Sequence, residues 1–110
     1  MKKVQLKKIN TDEVNALRSE IVVFINRIYQ QTIVEDFLLG IMLLDLNVKL
    51  LFTLRNKVES GKKQFSFQIS SSEAAAIIKC CLQSKSENLY TKNCLEKFKN
   101  QIDHQLRSLI

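Results

Sequence analysis

Apolar residues in this 110-residue chain recur at helical steps over several long stretches and alternate with polar residues over two short ones. From Val14 onward, Leu17, Ile21, Phe24, Ile25 and Ile28 keep three- and four-residue spacing, which predicts a helix. The segment "IVVFI" inside it is β-branched enough to suit a strand, but the longer period outweighs that local preference. A second helix is predicted over 33–58, with Phe37, Ile41, Leu44, Val48 and Leu51 along one face. A short helix holding Ala74, Ala75, Ile78 and Leu82 follows, and a last one carries Leu95, Phe98, Ile102, Leu106 and Leu109 with "EKFKNQ" as its wet side.

The two alternating stretches predict strands. Phe65, Phe67 and Ile69 alternate with Ser66 and Gln68, the two-residue period of a strand with one face buried. Val4 and Leu6 alternate with Gln5 and Lys7, and Ile9 then falls out of phase unless a bulge sits near Lys7 and Lys8. The expected order is β-α-α-β-α-α. This is an α+β fold, predominantly helical, with about four helices and two short strands in a single globular domain over 1–110.

Both strand-to-helix junctions carry the same signal. Asn10 or Ser70 can cap a helix while Glu13 or Glu73, three residues on, reaches back to the cap's N–H. Thr32 with Glu35 and Ser84 with Glu87 suggest two further helix starts. Asn56 with Glu59 and Asn93 with Glu96 share the spacing, so periodicity has to arbitrate. At an offset of 60 residues, 2–17 can be laid over 62–77, a weak internal repeat consistent with duplication.

The stretch "LLGIMLLDLNVKLLFTL", 38–54, is the most apolar in the chain. Asp45 and Lys49 would each cost about 2.5 to 3.5 kcal/mol at a bilayer centre, and the apolar length is marginal, so a membrane span is not expected. At 100° per residue Asp45, Lys49, Thr53 and Asn56 form a stripe about 80° wide, joined by Glu35. Leucines, isoleucines and phenylalanines fill most of the remaining circumference, so the helix wants neighbours on two sides. Gly40 and Asn47 lie together between those sides and could permit a close helix crossing. Leu39, Gly40, Leu43, Asn47, Leu50 and Leu54 are therefore the candidate protein interface. A two-stranded sheet is marginal alone and its edges are templates for pairing, which adds a second route to self-association.

Composition narrows the classes. Apolar content of 45% and charged content of 25% are ordinary for a globular chain and exclude disorder. The absence of proline and the presence of two glycines favour long helices. "MKKVQLKKINTDE" has no apolar region behind its lysines, so it does not read as a signal peptide. Three cysteines, two of them adjacent, form neither a zinc framework nor a disulfide set, and a cytoplasmic location with thiols as small buried hydrophobes is the expectation. The formal charge is +6. Nine Lys/Arg stand against seven Asp/Glu in 1–60, and eight against four in 61–110.

Candidate chemistry is sparse. His104 is the single histidine, no glycine-rich phosphate loop exists, and "TDE" and "VED" suit helix first turns better than a cation site. No catalytic, cofactor or metal residues are assigned, and enzymatic activity is not expected. Lys63, Phe65 and Phe67 resemble the basic-aromatic strand on which RNA-recognition motifs stack bases. The motif's glycines and its companion aromatic strand are missing, and the element order is not βαββαβ, so Phe65 and Phe67 are expected in the core. The functional expectation is a small interaction module that self-associates, as a homo-oligomer, and binds another protein. The alternative is nucleic-acid binding through Lys2, Lys3, Lys7, Lys8, Lys62 and Lys63.

Overall fold

The computed structural model describes residues 3–108. β1 (Val4–Asn10) runs into α1 (Thr11–Arg27), which continues through a π-helical segment, Ile28–Thr32, and a single turn, α2 (Ile33–Glu35). The helix breaks at Asp36 and the chain continues as α3 (Phe37–Glu59), β2 (Gln64–Ile69), α4 (Ser71–Gln83) and α5 (Leu89–Arg107). The fold is α+β and predominantly helical, and the β-α-α-β-α-α order holds once α2 is counted with α1.

Local chemistry explains the boundaries. The Asn10 side chain accepts from the Glu13 N–H at 2.8 Å while Glu13 accepts from the Asn10 N–H at 3.0 Å. Ser70 and Glu73 repeat this at 3.1 and 3.0 Å, so both predicted capping boxes form. The other two starts differ from the sequence expectation. Thr32 lies inside the continuous helix, and Asp36 caps α3 by accepting from Leu39 N–H at 3.1 Å. The Ser84 hydroxyl is engaged by Glu20 at 3.0 Å, and Asn88 caps α5 through Thr91 N–H.

β1 and β2 pair antiparallel, with Val4 opposite Ile69, Leu6 opposite Phe67 and Ile9 opposite Phe65. The register slips by one residue between Leu6 and Ile9, and Lys8 takes a left-handed φ of 56° there. This bulge returns Ile9 to the buried face with Val4 and Leu6. The strand register is thereby balanced about the Leu6 and Phe67 pair, with Val4 opposite Ile69 on one side and Ile9 opposite Phe65 on the other.

The buried hydrophobic side chains, Cys94 apart, form one cluster. Leu6, Ile9, Leu17, Ile21, Leu50, Leu54, Ile77, Phe98 and Ile102 are among its fully enclosed members. α4 presents Ala74, Ala76, Ile77 and Cys80 inward and leaves Leu82 exposed, a face rotated from the predicted one. α5 contributes Leu95, Phe98 and Ile102, with Leu106 half-buried and Cys94 buried outside the cluster, while Leu109 lies outside the described residues.

Candidate interaction surfaces

α3 is long and apolar enough to cross a membrane by length and composition, yet here it leans on α1 and α4 along one face. That face is Gly40, Leu44, Asn47, Leu50 and Leu54. Of the six interface residues expected from sequence, Gly40, Asn47, Leu50 and Leu54 are thus enclosed by this chain's own elements. Leu43 is half-buried, and Leu39 alone is exposed. The close approach foreseen at Gly40 is real but internal: a Cβ there would meet Ile33 Cγ1 at 2.4 Å. Asn47 donates to Leu43 O at 2.8 Å, and its Oδ1 is buried without a partner.

The uncovered face is carried by other residues. Leu38 is 73% exposed, Met42 68%, Phe37 61% and Phe52 58%, with Ile41 and Val48 beside them. Between these runs the Asp45–Lys49 ion pair, 2.9 Å, at the centre of the polar stripe read from sequence. Sequence periodicity found the stripe but could not say which apolar flank the chain would cover. Where α3 passes α1, a groove of ≈ 520 Å³ opens, with Val22, Val48, Leu51 and Phe52 as apolar lining and Arg18 and Arg55 at its rim. Arg55 pairs with Glu59 at 3.0 Å, whereas Arg18 reaches Asn15 and leaves its Nε unbonded.

The sheet has two unlike edges. On β1, Gln105 Oε1 accepts from Gln5 N–H at 2.7 Å and its Nε2 donates to Gln5 O at 2.7 Å. Gln101 does the same to Lys7, at 2.9 and 3.0 Å. The match is geometric: four helical residues rise about 6 Å and two strand residues about 6.7 Å, so glutamines four apart meet every second strand residue. Lys97, four residues earlier, donates to Lys8 O at 2.7 Å and pairs with Glu13 at 2.9 Å, which secures the bulge. α5 therefore seals β1 against strand addition. Sequence reading took this face as merely wet, although the spacing of Lys97, Gln101 and Gln105 was its signal.

Among the described residues β2 has no such cover. Because Gln5 and Lys7 turn their backbone groups outward, Val4 and Leu6 bond β2, and Ile69 and Phe67 bond back. Gln64, Ser66 and Gln68 then present their N–H and C=O groups to the free side.

Antiparallel pairing brings Lys7 and Lys8 near Lys62 and Lys63, since Lys62 O accepts from Thr11 at 3.5 Å just beyond β1. Lys3 stands at the opposite end, and Lys2 lies outside the described residues. Lys57 rests over the Phe67 ring at 5.4 Å. Phe65 and Phe67 are both buried, so neither offers a stacking face.

The thiols face inward. Burial pushes Cys80 and Cys81 up to about 12, and it also raises Cys94, the reverse of the shift an activated thiolate needs. His104 is exposed, and no group of three or more His, Cys, Asp or Glu residues that could hold a metal occurs among the described residues. Comparison with protein-family models, curated proteins and solved structures returned no match.

Proposed function

We propose that this chain is a non-enzymatic interaction module that self-associates and docks a partner protein on the outer face of α3. One observation supports the reading above all: large apolar side chains of α3 stand in water, Leu38, Met42 and Phe52 among them, although the helix has a full core seat on its other side. A patch of this kind on a folded domain is the usual mark of a contact surface. The arginine-rimmed groove beside it adds a preference for a partner segment that is apolar and acidic.

A photo-reactive residue placed at Met42 should crosslink to protein far more than one placed at exposed His104, in cells of the source and with purified chain. Equal labelling at the two positions would refute the docking face.

A second reading rests on the gathering of Lys7, Lys8, Lys62 and Lys63 toward one end of the sheet. It requires affinity for DNA or RNA that falls steeply with salt, and the absence of any shift at low salt excludes it.

A further inference from the structure

We infer that a second copy of this chain adds to the open edge of β2, antiparallel and centred on Ser66, joining two two-stranded sheets into one of four. This rests on the self-association proposed above but uses a different surface from α3. Three observations select this occupant.

The edges are treated oppositely. β1 carries two lysines, a bulge and a pair of glutamines that consume its outward backbone groups. β2 has no proline, no charge and no bulge between Gln64 and Ile69, so nothing along it discourages a further strand.

The strand is a palindrome. Gln64, Phe65, Ser66, Phe67 and Gln68 read alike in both directions. A two-fold axis at Ser66 sets Ser66 against its own counterpart, Gln64 against Gln68 of the second copy, and Phe65 against Phe67 of the second copy. An isologous contact requires such self-complementarity.

The hydrogen-bond phase agrees with that axis. The residues whose backbone points outward are Gln64, Ser66 and Gln68, so a centre on Ser66 makes three directly bonded pairs with about six backbone bonds. Phe65 and Phe67 then fall in the non-bonded pairs, and their rings stay on the buried face of their own copy. Antiparallel addition also places Lys62 and Lys63 opposite Ser70 and Ile69 of the second copy. Parallel addition would stack lysine on lysine.

The test uses cysteine pairing in the full chain. In a bonded antiparallel pair the Cα separation of about 5.5 Å lies within disulfide range, so Ser66→Cys should give a disulfide-linked dimer under mild oxidation. Gln64→Cys alone should not, because its counterpart lies about 14 Å along the strand, whereas Gln64→Cys with Gln68→Cys should link. Unsubstituted protein, whose thiols are Cys80, Cys81 and Cys94, serves as the oxidation control. Ser66→Pro removes only an outward N–H and should shift sedimentation from dimer to monomer while circular dichroism stays unchanged. If that variant unfolds, the cysteine series decides. A strict monomer at high micromolar concentration, or equal linkage at Ser66 and Gln64, overturns the proposal. Crosslinking from Met42 is unaffected by Ser66→Pro if both proposals hold, so the α3 reading and the β2 reading fail separately.

Discussion

α3 and α5 are both long helices, and they use their residues in opposite ways. α5 is mostly polar, yet Leu95, Phe98 and Ile102 sit in the core, and Lys97, Gln101 and Gln105 on another side are fastened to the backbone of β1. α3 is apolar around most of its circumference and still places only five residues inside. What limits burial of α3 is the supply of neighbours, since α1 with its continuation through α2, and α4, pack against α3 while Leu38, Met42 and Phe52 stay exposed among the described residues. Apolarity therefore does not measure how strongly a helix belongs to its own fold. The surplus on α3 is the material of the proposed contact, whereas the polar side of α5 is already spent on closing an edge.

The comparison can be pressed experimentally. The deepest positions should be equivalent in the two helices: Phe98→Ala in α5 should cost about 3 to 5 kcal/mol and Leu50→Ala in α3 about 2 to 5 kcal/mol in chemical denaturation. A cost below about 1 kcal/mol for Leu50→Ala would mean that α3 is not seated as described. Next comes the polar side of α5. Gln101→Ala combined with Gln105→Ala should lose about 2 kcal/mol and, more tellingly, should produce assemblies larger than a dimer, because both sheet edges are then open. Retention of the parent's assembly state would show that the glutamines do not guard the edge. Asn47→Leu on α3 should gain about 1 kcal/mol by removing a buried oxygen that has no partner, and a loss of stability would point to tight packing around that site. Smallest of all, Leu38→Lys should move stability by no more than about 0.5 kcal/mol while abolishing crosslinking from the probe at Met42.

Much of the fold was legible because its signals were local. The capping boxes at Asn10 and Ser70 depend on residues three apart, and the bulge was readable from the phase of Ile9 alone. The start of α3 was not, since Asp36 is followed by Leu39 where a capping box would have an acid. Site residues were less legible. Choosing between the flanks of α3 needs the positions of α1 and α4, which no periodicity in α3 contains, and so Gly40, Asn47, Leu50 and Leu54 were read as interface when they are core. The glutamine pairing to β1 joins residues 100 and 94 positions apart, beyond any pattern within one segment.

That separation has a consequence in time. During synthesis β1 is complete long before Gln101 and Gln105 exist, and at about 5 to 20 residues per second the interval is roughly 5 to 20 s. For that period the first strand is a naked edge, and its two lysines and left-handed kink are the only deterrents it carries. Slowing translation between β1 and α5 would prolong this vulnerable state without altering a single residue of the finished protein.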